Sequence, residues 1–249
     1  MPAEISNAMA GNHLLASLGP EDRDVLSAHL EPVTLDRRLV MEMPGEPVAH
    51  VYFPLSGIGS GVTVGWRHLD QRIETNLFGR EGMSGLAVVL CADRGQNEVY
   101  VQLPGDGLRL EARDLRHAMD ERPSIRAALL RYVHVAQIQT SFTALSNGRD
   151  RLETRLARWL LMAHDRVDGN ELALTHEFLA LMLGVRRAGV TVATHDLEGE
   201  GLIRAERGVI TVLDRAGLDA VADGSYGAPE AEYERLIGHP LRREPPPEP

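Results

Sequence analysis

The stretch from Thr175 to Leu197 constrains this chain more than any other. Leu179, Leu183, Val185, Val190 and Leu197 recur there at helical spacing on both sides of Gly184. Thr175 suits the N-cap of a helix reaching Leu183. Gly184 can adopt the positive φ that a tight turn between helices needs. Val185 is expected to pack inward, and a second helix is expected from Arg187 to Glu198. Ala180 is small where the two helices would cross most closely, a glycine follows four positions later, and a β-branched residue comes six beyond that. A plain helical hairpin satisfies the same spacing, but the sequence that follows narrows the choice. Gly201-Leu202-Ile203-Arg204 reads as a strand, Ala205 to Gly208 as a turn, and Val209 to Leu213 as a returning strand. Helix, turn, helix and hairpin in that order make a winged helix-turn-helix.

The second helix has an informative outer face. Arg187, Thr191 and His195 lie four apart, with Ala188 and Val192 beside them. In a major groove, an arginine can hold guanine O6 and N7, and small apolar side chains can touch thymine methyls. Thr175, His176 and Arg186 are placed for phosphates, as are Arg204 and Arg207 beside the wing turn. Charge argues the other way. The chain carries a formal net charge of −10, and acids outnumber arginines from 148 to 225. Every cation is arginine. A DNA-facing surface must therefore come from local placement, not from bulk charge.

Upstream, residues 13 to 30 read as short helices, with Gly19-Pro20-Glu21-Asp22 as a start signal. From Val33 to Leu110, β-rich runs at 50–53, 58–64, 72–77 and 98–103 are punctuated by Pro44-Gly45, Ser56-Gly57 and Pro104-Gly105-Asp106-Gly107, which suggests a small barrel or roll. A long helix is expected from Pro123 to a break at Asn147-Gly148. Its stripe of Leu129, Val133, Ala136, Thr140 and Thr143 would serve either as core or as a seam between two subunits, and is assigned here to dimerisation. A further helix is expected over Arg149 to Val167. The domain division is 1–120 sensor roll, 121–147 dimerisation helix, 148–225 winged helix-turn-helix, and 226–249 a polar, partly disordered tail. No apolar run reaches the ~20 residues of a membrane span, and Met1 to Asn12 lacks the marks of a secretory signal. The single cysteine, Cys91, can supply neither an internal disulfide nor the ligands of an iron–sulfur cluster, and a cytoplasmic location is expected. Within the apolar run Val88 to Cys91 that cysteine is expected to be buried and inert.

Over roughly residues 13 to 225 the sequence resembles the Crp/Fnr family of bacterial transcription regulators. The strongest block runs from Leu174-Thr175 through Leu197-Glu198 to Gly201-Leu202-Ile203. The resemblance implies an α+β fold: a cyclic-nucleotide-binding-like jelly roll, a long dimerisation helix and a C-terminal winged helix-turn-helix. It also implies a homodimer on a palindromic DNA site, with RNA polymerase as a partner and no membrane. Arg187 matches the family's guanine-reading arginine, whereas Ala188 and Val192 stand where many members have glutamate and a second arginine. The effector pocket is expected at Arg80, Ser84, Gly85, Arg94, Glu98, Thr140 and Ser141. Cyclic-AMP binders carry Gly-Glu-Leu and then Arg-Ser-Ala, and here Ser84-Gly85 and Gln96-Asn97-Glu98 stand in those places, so conventional cyclic-AMP binding is not expected. Haem, for which His50, His68, His117 and His134 would be candidates, is not expected either. Ser84 could open a short helix that holds an anion with Arg80 or Arg94. No nucleophile elbow, phosphate loop or metal-ligand cluster marks an enzyme. The alternative is a sensor or scaffold that has lost DNA binding, for which the acidic segment from 148 to 225 and Gly189 inside the second helix are the arguments.

Overall fold

The computed structural model describes residues 2–68 and 70–242, and seven strands between residues 31 and 111 build its roll. Three helices lead in: α1 (Pro2–Met9), α2 (His13–Ala16) and α3 (Pro20–Ser27). Asn12 caps α2 by accepting from Leu15 N at 3.0 Å, and Gly19 precedes Pro20 at the first position of α3. The strands are β1 (Glu31–Leu35), β2 (Val40–Glu42), β3 (His50–Pro54), β4 (Ile58–Val64), β5 (Arg72–Phe78), β6 (Asn97–Leu103) and β7 (Gly105–Glu111). They pair antiparallel in two sheets, β1-β7-β3 and β2-β6-β4-β5. Leu35, Met41, Tyr52, Phe78, Val99 and Val101 form one apolar cluster contributed by strands of both sheets.

The strands expected at 50–53, 58–64, 72–77 and 98–103 are present within a residue at each end. The run Pro104 to Gly107, read as a turn, instead opens β7, the central strand of its sheet. Its glycines serve close approach. A Cβ on Gly105 would sit 2.4 Å from Ser56 O, and one on Gly107 would sit 3.1 Å from Phe53 O. A short α4 (Leu86–Val89) bridges β5 and β6. Cys91 follows it at a φ of 62° and is exposed, correcting the expectation of a buried thiol.

After α5 (Ala112–Glu121), the long α6 (Pro123–Arg149) runs straight through Gly148, so the break falls at Asp150 and not at Asn147-Gly148. The stripe assigned to dimerisation faces its own chain. Leu129, Val133 and Ala136 are at most 5% exposed. Thr140 Oγ1 donates to Thr75 O at 3.1 Å, and Thr143 Oγ1 accepts from Arg158 Nη2 at 3.1 Å. Core packing claims Leu129, Val133 and Ala136, whereas Thr140 stays exposed and Thr143 is partly buried beside Arg158.

The C-terminal unit comprises α7 (Leu152–His164), β8 (Glu171–Leu172), α8 (His176–Leu183), α9 (Arg187–Gly199), β9 (Ile203–Glu206), β10 (Val209–Val212) and α10 (Arg215–Ala222). The wing sheet has the order β8-β10-β9. The last helix, α11 (Ala228–Ile237), lies in the segment read as tail. Pro229, Tyr233 and Ile237 are buried, and Tyr233 Oη donates to Glu81 O at 2.9 Å. The polar composition of this segment hides a one-faced helix docked on the protein. Residues 243–249, also assigned to the tail, lie outside the described residues.

The roll and the C-terminal unit share one apolar core. Ile58, Val62, Leu77 and Leu103 of the roll pack with Leu156, Trp159, Leu160, Met182 and Leu183. Polar contacts cross the same boundary. Arg166 Nε donates to Glu81 Oε1 at 2.8 Å with both side chains nearly inaccessible, and Arg80 pairs with Asp168 at 3.0 Å.

Candidate nucleic-acid interface and roll cavity

Local chemistry sets the helix pair. Thr175 caps α8, its hydroxyl accepting from Phe178 N at 3.2 Å. Gly184 ends the helix in the left-handed region, at a φ of 63°. Val185 N then donates to Ala180 O at 2.9 Å, and α9 begins two residues later. Leu179, Ala180, Leu183, Val190, Ala193 and Leu197 are buried, whereas Val185 is only partly buried, along a cleft between α8 and the roll. Gly189 sits where α9 crosses α7, and a Cβ there would come within 3.0 Å of Leu152 Cδ2. The glycine gives two helices room to approach, so its presence in α9 has a packing reason.

The face left open is the one the sequence singled out. Arg186, Arg187, Ala188, Thr191, Val192 and His195 are exposed, Val192 at 58%. His176 Nδ1 lies 3.1 Å from Thr191 Oγ1 and fixes α8 against α9. Arg204 and Arg207 project from the wing, where Arg207 at a φ of 50° and Gly208 at 82° make the two-residue turn between paired Glu206 and Val209. Among the described residues none of Arg186, Arg187, Arg204 and Arg207 forms an ion pair or a side-chain hydrogen bond. Other arginines of the unit are committed: Arg155 to Asn147 Oδ1 and Leu183 O, Arg158 to Ser225 O, and Arg215 to Asp165. Several acids are spent as well. Asp165 and Asp168 are paired, Glu198 accepts from Ala205 N at 3.0 Å, and Asp214 caps α10. Four cations without such a partner thus lie on α9 and the wing in spite of the negative total.

The roll holds a second candidate. An open cavity of about 780 Å³ lies between β4, β5, the α4 region and α6, and Ser84, Gly85, Arg94, Thr140 and Ser141 line it. Arg80 and Glu98 do not. Arg80 reaches across to Asp168, while Glu98 pairs with Arg72 on the wall of the cleft facing α8. The expected anion site at Ser84 is also closed. Ser84 is buried with its hydroxyl accepting from Tyr52 N at 3.0 Å, and Gly85 N donates at 2.7 Å to the carboxylate of Glu42, a residue the sequence did not flag. Arg94 Nη1 donates to Gly45 O at 2.9 Å. A cyclic phosphate would find a carboxylate where it needs donors, so these residues do not fit a cyclic nucleotide held in the usual way. No group of three or more His, Cys, Asp or Glu able to hold a metal occurs among the described residues, and none of their helices is long and apolar enough to cross a membrane.

A β-roll, a long connecting helix and a winged helix-turn-helix with free arginines define the architecture of a DNA-binding regulator. Residues 154–221 match the family model of the Crp-like helix-turn-helix domain. A Crp/Fnr-family transcriptional regulator from Thermus thermophilus superposes with a TM-score of 0.62 at 21% identity, over 79% of this chain and 100% of that one. FixK2 from Bradyrhizobium japonicum gives 0.64 at 15%, over 77% and 96%. The c-di-GMP-responsive global regulator CLP from Xanthomonas campestris gives 0.61 at 17%, over 78% and 99%. No curated protein matches the sequence. The chain is of the Crp/Fnr type in its fold and in its helix-turn-helix domain.

Proposed function

We propose that this protein is a sequence-specific transcription regulator that binds a palindromic DNA site as a homodimer in the cytoplasm and contacts RNA polymerase there. The observation that carries the reading is the open flank of α9, tipped by unpaired Arg186 and Arg187 and continued by Arg204 and Arg207 on the wing. Arg187 reads a guanine, Ala188 and Val192 contact thymine methyls, and the remaining arginines hold phosphates. In gel shifts on duplex from the protein's own promoter region, Arg187→Ala is expected to cost about 1–3 kcal/mol and to erase the preference at one guanine position. Equal loss on every sequence would reduce Arg187 to a phosphate contact, and wild-type protein that binds no duplex from that region would sink the reading.

The dimer seam moves to the outward face of α6. Leu130 and Leu145 are 42% and 56% exposed there, in register with exposed Ala127, Gln137, Ser141 and Ala144. Leu145→Glu is expected to convert the dimer to a monomer in sedimentation equilibrium, because it places two carboxylates in an apolar interface. A variant that sediments as the wild type does would exclude this seam. The roll acts as the sensor, with a ligand other than cyclic AMP.

A further inference from the structure

The cavity in the roll contains a carboxylate that forms no ion pair among the described residues. Strand β2 is bulged: Val40 pairs with Tyr100 and Glu42 with Val99, with a register shift between them. The bulge turns two successive side chains inward, so that Met41 joins the core and Glu42 faces the cavity. Glu42 is 8% exposed. Among the described residues its carboxylate accepts one hydrogen bond, from Gly85 N at 2.7 Å, and forms no ion pair. Its other oxygen faces Gly95, where a Cβ would stand 2.9 Å away. Arg94, the cation on the same wall, is turned to Gly45 O and Asp93, and its side chain is 53% exposed. Burial pushes the Glu42 carboxyl up from its ordinary range, and the Gly85 amide pulls it back. The rest of the lining is neutral, with Phe78, Met83 and Val99 on the apolar side and Asn76, Asn97 and Thr140 on the polar side.

We propose that this cavity binds a compact organic cation, an apolar body bearing an ammonium or amidinium group whose N–H donors meet Glu42. Removing a carboxylate from water with most of its lone pairs unused is costly, and a cation with donors supplies what the fold leaves out. An anion does the reverse, because it meets a like charge and the nearest amide is already taken. The volume of about 780 Å³ suits an aromatic amine and lies within the usual range of small-molecule sites. This assignment rests on the reading of the roll as a sensor and specifies the chemistry of its ligand.

The test uses the full-length protein with tryptamine as probe, tryptophol as its neutral counterpart and cyclic AMP as the anionic competitor, measured by titration calorimetry and by melting temperature. Tryptamine is expected to bind and to raise the melting temperature. Tryptophol, and tryptamine on Glu42→Gln, are expected to bind about tenfold more weakly or worse. The amide introduced by Glu42→Gln keeps an oxygen for Gly85 N, so that variant is expected to melt near the wild type without ligand. Failure of tryptamine to bind, equal binding of tryptophol, or undiminished binding to Glu42→Gln overturns the assignment. Stabilisation by cyclic AMP overturns it together with the exclusion of that nucleotide. Gel shifts run in parallel keep the two levels apart, since intact DNA binding alongside a failed amine titration rejects the ligand class and leaves the regulator reading standing.

Discussion

Arg166→Met is expected to destabilise the protein by about 3–5 kcal/mol, the cost of leaving a buried carboxylate without its cation. Arg166 follows α7, and Glu81 sits in the roll after β5. Their side chains are 2% and 3% exposed. The guanidinium also donates to Met162 O at 2.6 Å and to Leu77 O at 3.2 Å, so three acceptors lose a donor together. Among the described residues the Glu81 carboxylate then retains only the bond from Gly79 N at 2.9 Å. Adding Glu81→Gln to the variant removes the stranded charge and keeps an oxygen for Gly79 N. That double variant is expected to regain about half of the loss or more, because a neutral pair escapes most of the desolvation penalty. Urea denaturation of the two variants beside the wild type measures both quantities. A single variant that loses less than about 1 kcal/mol, the range of exposed pairs, would show that water reaches this site.

The second large effect is a pH dependence. Glu74 on β5 is buried where the roll meets α7, taking hydrogen bonds from Trp159 Nε1 at 2.6 Å and from Ser60. Burial raises its carboxyl to about 7 from an ordinary 4.5, against the pull of those donors and of Arg166 and Arg158. Between these two values the folded chain holds a proton that the unfolded chain has released. Stability from this group is therefore full below about 4.5, falls as pH rises toward about 7, and is flat beyond, a change of about 3 kcal/mol. Glu74→Gln lacks that slope. It is expected to match the wild type near pH 4.5 and to exceed it by about 3 kcal/mol at pH 8. His164, depressed to about 4 mainly by burial, acts in the opposite sense and loses stability as pH falls below 6.5. Asp165, raised to about 6 mainly by burial, acts in the same sense as Glu74. Both are present in either protein, so the difference between variant and wild type isolates Glu74. An equal difference at pH 4.5 and pH 8 would refute the assignment.

The helix-turn-helix was legible because its determinants are local. A threonine cap, a glycine whose turn requires positive φ, and an apolar period on each side specify α8 and α9 without reference to the rest of the chain. Four roll strands were legible for a similar reason. What failed depends on contacts distant in sequence. Gly105 and Gly107 look like turn residues until the backbone at Ser56 and Phe53 is in place. Helix α6 has apolar residues on two faces, and spacing alone does not say which one the roll takes, so Leu129 and Val133 were assigned to a partner while Leu130 and Leu145 were passed over. Cys91 ends an apolar run, yet it lies in the left-handed turn that closes α4 and points outward. Glu42 gave no signal because only its bulge turns it inward. In α11, Tyr233 and Ile237 anchor a helix whose other positions are polar enough to read as tail.

The apolar core that joins Ile58, Val62, Leu77 and Leu103 to Trp159 and Met182 bears on how a signal would travel. Close-packed surfaces of this kind do not slide by degrees, since a small gap already forfeits much of the attraction across it. Reorienting the DNA reader would mean prising it off the roll in one move, wetting those side chains and stranding Glu74 and Glu81. Any such reorientation is therefore an all-or-none step in each chain and not a graded slide.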